Sequence, residues 1–180
     1  MNKFIASQVP LCIAAGLLTA MLAGPAASAE QAAVKAFAAW KGTGQAVQTG
    51  ADEATFVGTI SGTVYVETEK GPVASGSMLC PAILRVNMND GSQAGTGRCN
   101  FIADDGAQIF ARLECAGIHL IGCDGDFTLT GGTGRFAGIS GGGAVTVRSE
   151  LREVVGLASG SIVESVSGIM FWPNLSYQIP

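Results

Sequence analysis

A glycine-rich stretch at residues 128–143, TLTGGTGRFAGISGGG, limits most strongly what this chain can fold into. Glycine destabilises a helix interior by about 1 kcal/mol per residue relative to alanine, so this stretch is a poor helix former. Such a stretch is typical either of a nucleotide-binding loop or of a tight connection between two β-strands. The two interpretations predict different fold classes, and the surrounding sequence separates them.

The nucleotide-binding interpretation rests on Gly132, Gly134 and Ala137, which satisfy the spacing G-x-G-x-x-[G/A]. That motif must follow a strand and open a helix whose N-terminus faces the pyrophosphate. Here it runs into further glycines, no βαβ pattern surrounds it, and no G-K-[ST] of a P-loop is present. We therefore predict no cofactor and assign four glycines to a structural turn: Gly131, Gly132, Gly134 and Gly138.

Residues 54–67 alternate between apolar or glycine positions and mostly polar ones, which predicts a half-buried antiparallel strand. Mid-strand glycines such as Gly62 and Gly168 favour sharply coiled strands. A succession of strands joined by tight turns, without helices between them, predicts an all-β barrel or sandwich. Further extended segments are predicted at residues 79–88, 95–103, 107–115, 125–130, 144–155 and 161–172.

The segment before this strand has a different pattern. Four apolar side chains of the alanine-rich residues 30–40 fall roughly on one helical face: Val34, Phe37, Ala38 and Trp40. We predict a short helical or disordered lead-in over residues 30–53, a single barrel domain over residues 54–180, and a tail at residues 173–180.

Residues 1–29 have the features of a secretory signal peptide. Lys3 gives a positive start, an apolar run covers residues 9–23, and Ala27 and Ala29 fit the A-x-A cleavage rule. The apolar run is shorter than the roughly 20 residues of a membrane span. We predict cleavage after Ala29, export to the periplasm or the extracellular space, and no membrane span in the mature chain.

The mature chain is acidic. Removing Lys3 from the ten Lys+Arg leaves nine against 14 Asp+Glu, and so a net charge of −5. The sequence has no cluster of lysine or arginine, and affinity for a phosphate backbone depends on such clusters. Nucleic-acid binding is therefore disfavoured.

Four cysteines remain after the predicted cleavage, and an even number in an exported chain favours two disulfides. Their spacing contains no C-x-x-C pair, which departs from the usual zinc and redox patterns, so no metal is assigned. A hairpin turn centred on Asp90-Gly91 brings Cys80 close to Cys99 across the hairpin. We predict the pairs Cys80–Cys99 and Cys115–Cys123.

Residues 127–141, FTLTGGTGRFAGISG, resemble the late GGTG-x-F-x-x-x-x-G segment of dirigent proteins and allene oxide cyclases, and resemble their small exported bacterial relatives still more. The turn at residues 90–92 and the alternation at residues 108–112 fit the same plan. The resemblance implies an antiparallel closed barrel of about eight strands, of the calycin type. Plant members steer radical coupling or cyclise fatty-acid epoxides inside the barrel. The matching segment contains none of their catalytic residues, so none is assigned here.

Arg112 and Glu114 lie two residues apart on one face of a predicted strand and are the candidate ligand-binding pair, with Tyr65 as a weaker addition. Facing inward, the pair would orient a ligand carboxylate or hydroxyl in an apolar cavity. Facing outward, they would be solvent-exposed cross-strand charges. His119, the single histidine, is interpreted as a solvated loop residue.

These features favour a non-catalytic exported protein that binds a small apolar or amphipathic molecule in its barrel. One alternative is a cyclase- or isomerase-like enzyme that acts by confining its substrate. Another is a structural or surface-associated protein. A homo-oligomer is compatible with all three.

Overall fold

The computed structural model describes residues 30–158 and 161–180, which form one closed antiparallel sheet of eight strands. The predicted signal peptide, residues 1–29, lies outside the described residues. The strands are β1 (Glu30–Gln48), β2 (Glu53–Thr68), β3 (Gly71–Asn87), β4 (Ser92–Ile102), β5 (Gln108–Ile118), β6 (Gly122–Gly132), β7 (Ser140–Ala158) and β8 (Ser161–Ile179).

Each strand pairs with the next one along the chain, and β1 also pairs with β8, which closes the ring. The turns therefore alternate between two ends of the barrel. The described turns β1–β2, β3–β4 and β5–β6 lie at one end, which we call the His119 end. The other three turns lie at the opposite end, which we call the Arg135 end. The predicted all-β closed barrel of about eight strands is confirmed.

The first strand corrects the prediction of a helical or disordered lead-in over residues 30–53. Ala36, Ala38 and Trp40 are buried, whereas Lys35 and Lys41 between and beside them are exposed, so burial follows period two. β1 is hydrogen-bonded on both sides, to β2 and to β8. These two ladders override the helix propensity of its alanines.

The predicted tail at residues 173–180 is also wrong, because β8 continues to Ile179. Its last residues pair with the start of β1, as in the pair Glu30 and Ile179. The ladder shifts register between Val34 and Ala36, and Pro173 lies opposite this irregularity. A bulge is one of the places where a sheet tolerates proline, which lacks the N–H group that the ladder requires.

The glycine-rich stretch ends β6, forms the connection to β7 and begins β7. Gly131 and Gly132, predicted for a turn, are instead the last residues of β6, paired with Phe110 and Ile109. The only helical part of the stretch is one turn of 3-10 helix, Gly134–Phe136. Gly134 and Gly138 have φ angles of +58° and +77°, which favour glycine. Thr133 fixes the connection to the start of β5, because its N–H donates to the Gln108 carbonyl (2.8 Å) and its Oγ1 accepts from the Gln108 N–H (3.1 Å).

Both predicted disulfides, Cys80–Cys99 and Cys115–Cys123, are confirmed. The first links adjacent strands of the β3–β4 hairpin, with Cα atoms 4.1 Å apart. A turn centred on Asp90-Gly91 would have placed Cys80 opposite Phe101, but Met78 occupies that position. This register places Cys80 opposite Cys99.

Large buried side chains close the middle of the barrel, and we call this layer the waist. Phe127 and Trp172 are in edge-to-face contact, with ring centroids 5.2 Å apart, and Phe101 contacts both rings. Trp40 lies on the other side of the waist against glycines of β1 and β8. Six more buried residues complete the layer: Ala38, Met78, Cys80, Cys99, Val145 and Met170.

We expect Gly168→Ala to destabilise the barrel and Gly42→Ala to leave its stability nearly unchanged. A Cβ at position 168 would overlap the Arg148 carbonyl oxygen and lie 2.8 Å from Cζ2 of Trp40. A Cβ at position 42 would lie 3.5 Å from Cζ3 of the same indole, an ordinary contact. Overpacking costs about 1–3 kcal/mol. The free energy of unfolding in urea measures both variants, and equal values would contradict the packing described here.

Candidate functional site

The waist divides the barrel interior into two cavities that share no lining residue. Cavity 1, of about 580 Å³, lies at the His119 end. Cavity 2, of about 430 Å³, lies at the Arg135 end. Both volumes fall in the range of small-molecule binding sites. The candidate sites are therefore these two chambers.

The deep wall of cavity 1 is apolar. It is formed next to the waist by inward-facing side chains of neighbouring strands, among them Trp40, Ile60 and Leu113. The space exists because several inward positions between the waist and the mouth carry little or no side chain. These positions are Gly42, Ala46, Ala54, Ala82 and Gly95.

Polar groups of cavity 1 lie toward its mouth. The Gln93 side chain is buried near the start of β4, and its Nε2 donates to the Gly122 carbonyl at 3.1 Å. Its Oε1 lies 3.4 Å from Nδ1 of His119. His119 lies in the β5–β6 turn, as predicted for a loop residue, but it is half-buried and lines the cavity rather than being fully solvated.

Glu164 adds a carboxyl group to the same cavity. It lies near the start of β8 and is only 3% exposed. Burial of a carboxylate is costly unless polar partners accompany it, so such a group is rarely placed for packing alone. Cavity 1 therefore combines an apolar interior with an amide, an imidazole and a carboxyl group.

Cavity 2 has a floor of aromatic rings from the waist and a mouth formed partly by the glycine-rich connection. Phe101, Phe127 and Trp172 provide the floor. At the mouth, the Arg135 guanidinium lies 4.8 Å from the centroid of the Phe136 ring and 3.3 Å from Oδ2 of Asp105. No buried carboxyl group lines this chamber among the described residues, which distinguishes it from cavity 1.

Arg112 and Glu114 lie on the outer face of β5, because Ala111 and Leu113 between and beside them are buried inside. Their side chains form an ion pair of 3.4 Å and are about half exposed. They border a polar groove on the outside of the barrel, next to Asp126. The pair therefore does not line an internal cavity, and a role for it in ligand binding stays a prediction about the outer surface.

Tyr65 also lies outside the two cavities. Its ring stacks on that of Phe37 across the β1–β2 pair, with centroids 5.1 Å apart and planes 13° apart. The structure does not bring Tyr65 together with Arg112 and Glu114, since it lies on β2 and they lie on β5. Its predicted contact with a ligand is likewise not tested.

Gln93 and Glu164 were not predicted as site residues from the sequence. A signal for Glu164 was present, because it interrupts an alternation of inward apolar or glycine positions on β8: Ile162, Val166, Gly168 and Met170. A carboxyl group at an inward position of a period-two pattern indicates either a buried network or a site. Gln93 follows directly on a turn, so no comparable pattern marked it.

Asp90 contributes an ionised carboxylate beside the mouth of cavity 1. Hydrogen bonds from the side chain and the backbone of Ser92 hold the pKa of the Asp90 carboxyl below its usual value, and the Ser92 N–H lies 2.8 Å from Oδ1.

In the part of the chain that the structure describes, no three His, Cys, Asp or Glu side chains are grouped to hold a metal ion. No helix among the described residues is long and apolar enough to cross a membrane.

No protein-family model matches this chain, and no curated protein matches it. Among solved structures, it is similar to the pterocarpan synthase dirigent protein GePTS1, with 10% sequence identity and a TM-score of 0.32. The match covers 81% of this chain and 88% of that chain. A likeness at this level carries no argument about the site or its ligand, so membership of the dirigent and allene oxide cyclase superfamily stays a prediction.

We expect Gln93→Leu to lower the free energy of unfolding by about 1–2 kcal/mol, because it leaves the Gly122 carbonyl without its side-chain donor. Gln45→Leu is the matched control, since Gln45 is exposed on β1, and surface substitutions of this kind change stability by less than about 0.5 kcal/mol. Guanidinium unfolding measures both. An unchanged stability of the Gln93 variant would show that its amide does not anchor the β5–β6 turn.

Proposed function

We propose that this protein binds a small amphipathic molecule, without catalysis, in cavity 1. The observation that carries the proposal is the polarity gradient along the cavity. Its deep wall is apolar, whereas Gln93, His119 and Glu164 provide hydrogen-bonding groups nearer the mouth. An apolar chain or ring would enter first, and a polar group would remain beside these three side chains.

The volume of the cavity supports a ligand of modest size. About 580 Å³ falls within the 300–1,000 Å³ typical of small-molecule sites. Transfer of apolar surface from water contributes about 25 cal/mol per Å² buried, so a largely apolar ligand would gain most of its affinity from the deep wall. The polar groups would then set the orientation of the ligand.

Export through the secretory pathway is part of the proposal. Two disulfides are consistent with an oxidising compartment, because cytosolic reductants keep such thiols reduced. The predicted signal peptide points the same way. A polar pair inside the barrel would have supported the alternative of an enzyme. Arg112 and Glu114, however, lie on the outside of the barrel.

Native mass spectrometry of the protein purified from its own cells tests whether it carries a ligand. We expect a reproducible additional mass that leaves on denaturation. The denatured mass should equal residues 30–180 less four hydrogens, which also tests the predicted cleavage and the two disulfides. A protein of bare mass in repeated preparations would count against a retained ligand.

Substitutions that fill each cavity in turn with a larger side chain test which of the two cavities binds a small apolar molecule. We expect Ala46→Phe, which places a benzyl group in cavity 1, to weaken binding of the uncharged probe N-phenyl-1-naphthylamine by about tenfold or more, about 1.4 kcal/mol. Val34→Phe places the same group in cavity 2 and should leave binding within about twofold. Fluorescence titration measures both variants. The reverse pattern would move the site to cavity 2.

A further inference from the structure

Exposed apolar side chains surround the mouth of cavity 1. They come from the turns and strand ends of the His119 end, and we call them the crown. Ile121 and Leu120 in the β5–β6 turn are 61% and 56% exposed, so most of each side chain meets water. The crown consists, among the described residues, of Val47, Met88, Ile118, Leu120, Ile121 and Ile162.

The crown is continuous with the cavity wall. Val47, Met88, Leu120 and Ile162 are exposed and also line cavity 1. An apolar chain could therefore pass from the outer surface into the cavity in contact with apolar side chains. A group of exposed apolar side chains around one opening is the kind of surface that indicates an interaction site.

Backbone hydrogen bonds join the turns that carry the crown. The His119 N–H donates to the Gly91 carbonyl at 2.8 Å, which links the β5–β6 turn to the β3–β4 turn. The Met88 N–H donates to the Asp52 carbonyl at 2.8 Å, which links the β3–β4 turn to the β1–β2 turn. The apolar side chains are thus presented on a connected rim.

Leu120 occupies a position that turn chemistry gives to glycine. The Ile121 N–H donates to the Ile118 carbonyl at 3.1 Å, so His119 and Leu120 are the central residues of a β-turn. The φ angle of Leu120 is +67°, which costs an L-residue with a side chain about 1–2 kcal/mol. Glycine or asparagine is usual there. A strained, exposed leucine at the tip of a turn points to a function for its side chain.

The charged residues near the crown indicate which kind of lipid surface the crown can contact. The described turns at residues 49–52, 88–91 and 119–121 contain the carboxylates of Asp52 and Asp90 and no lysine or arginine. Arg148, on β7 opposite Gly122, forms an ion pair with Asp124 (3.1 Å). Anionic lipid surfaces attract basic segments and repel acidic ones. A zwitterionic phosphatidylcholine surface exposes its quaternary ammonium groups outermost, and these complement the two carboxylates.

The opposite end of the barrel provides an internal comparison. Its turns carry the charged residues Glu69, Lys70 and Asp104 and the ion pair of Arg135 with Asp105. Exposed large apolar residues there are the strand residues Val73, Ile102 and Phe110. The two ends thus differ in their turns, because exposed Leu120 and Ile121 occupy the β5–β6 turn of the His119 end, whereas the turns of the Arg135 end carry charged residues.

We propose that the crown docks on a zwitterionic lipid surface and that cavity 1 takes its amphipathic ligand from that surface. The ligand-loading step rests on the proposed function, whereas docking does not require a ligand. Interfacial binding of this kind scales with the apolar area that enters the interface.

Flotation of the full exported protein with phosphatidylcholine vesicles tests docking. We expect the wild-type protein to float with the vesicles, and Leu120→Gly and Ile121→Ser each to lower the partition coefficient about fivefold. Leu120→Gly should not lower the thermal unfolding midpoint, because glycine relieves the strained φ angle. Val73→Ser, with 54% exposure at the Arg135 end, is the matched control and should stay within about twofold of the wild type.

Three outcomes would overturn docking. One is a wild-type protein that stays in the aqueous fraction. Another is stronger binding when phosphatidylglycerol is added to the vesicles, since the acidic crown should be repelled. The third is a change in self-association on sedimentation velocity in the crown variants with unchanged flotation, which would assign the crown to a second copy of the chain.

Different results would overturn the docking of the crown on lipid and the binding of a ligand in cavity 1. A protein that carries a ligand in native mass spectrometry but never floats would overturn docking alone. A protein that floats but never retains a ligand or the naphthylamine probe would overturn the proposed function and leave docking supported.

Discussion

The hydrogen-bond ladder between β1 and β8 closes the sheet, and the remaining features of the molecule depend on this closure. Because residues 36–46 of β1 pair with both β2 and β8, the closed part of the described barrel leaves no strand unpaired along one side. In a closed barrel, alternate side chains of each strand point into the interior, and the side chains between them point outward. A ring of eight strands then encloses a volume that side chains either fill or leave as a cavity.

The side chains fill that volume only at the waist. Trp40 packs against the backbone of Gly168, while Phe101, Phe127 and Trp172 pack edge to face. Above and below this layer several inward positions are glycine or alanine, among them Gly42, Ala46 and Ala36, and two chambers remain. The size of successive inward side chains along each strand thus determines where the barrel can accept a ligand.

The sequence predicted those structural features that depend on residues close together in the chain. The alternation of residues 54–67, the turn at residues 90–92 and the cysteine spacing identified strands, a hairpin and two disulfides, because each depends on neighbouring residues or on one hairpin. Residues 30–40 were misassigned because alanine favours a helix locally, and only pairing with two distant strands makes them a strand.

The site was harder to predict because it is assembled from residues distant in the chain. Gln93, His119 and Glu164 belong to β4, the β5–β6 turn and β8. The orientation of Arg112 and Glu114 was readable from the sequence, since Ala111 and Leu113 alternate with them and occupy the inside. Charged residues between apolar neighbours on a strand face outward unless the alternation is broken, as it is at Glu164.

The backbone of the turns distinguishes the two ends of the barrel. Of the described residues, Leu120 is the only non-glycine with a positive φ angle, and the other such positions, including Gly91 and Gly122 at the same end, are glycines. The chain therefore uses glycine wherever turn geometry alone decides. At Leu120 it keeps a costly, exposed side chain at the tip of the rim around the cavity mouth. Since this residue is not required by turn geometry and is not part of the buried core, a contact outside the barrel is the role that we propose for its side chain.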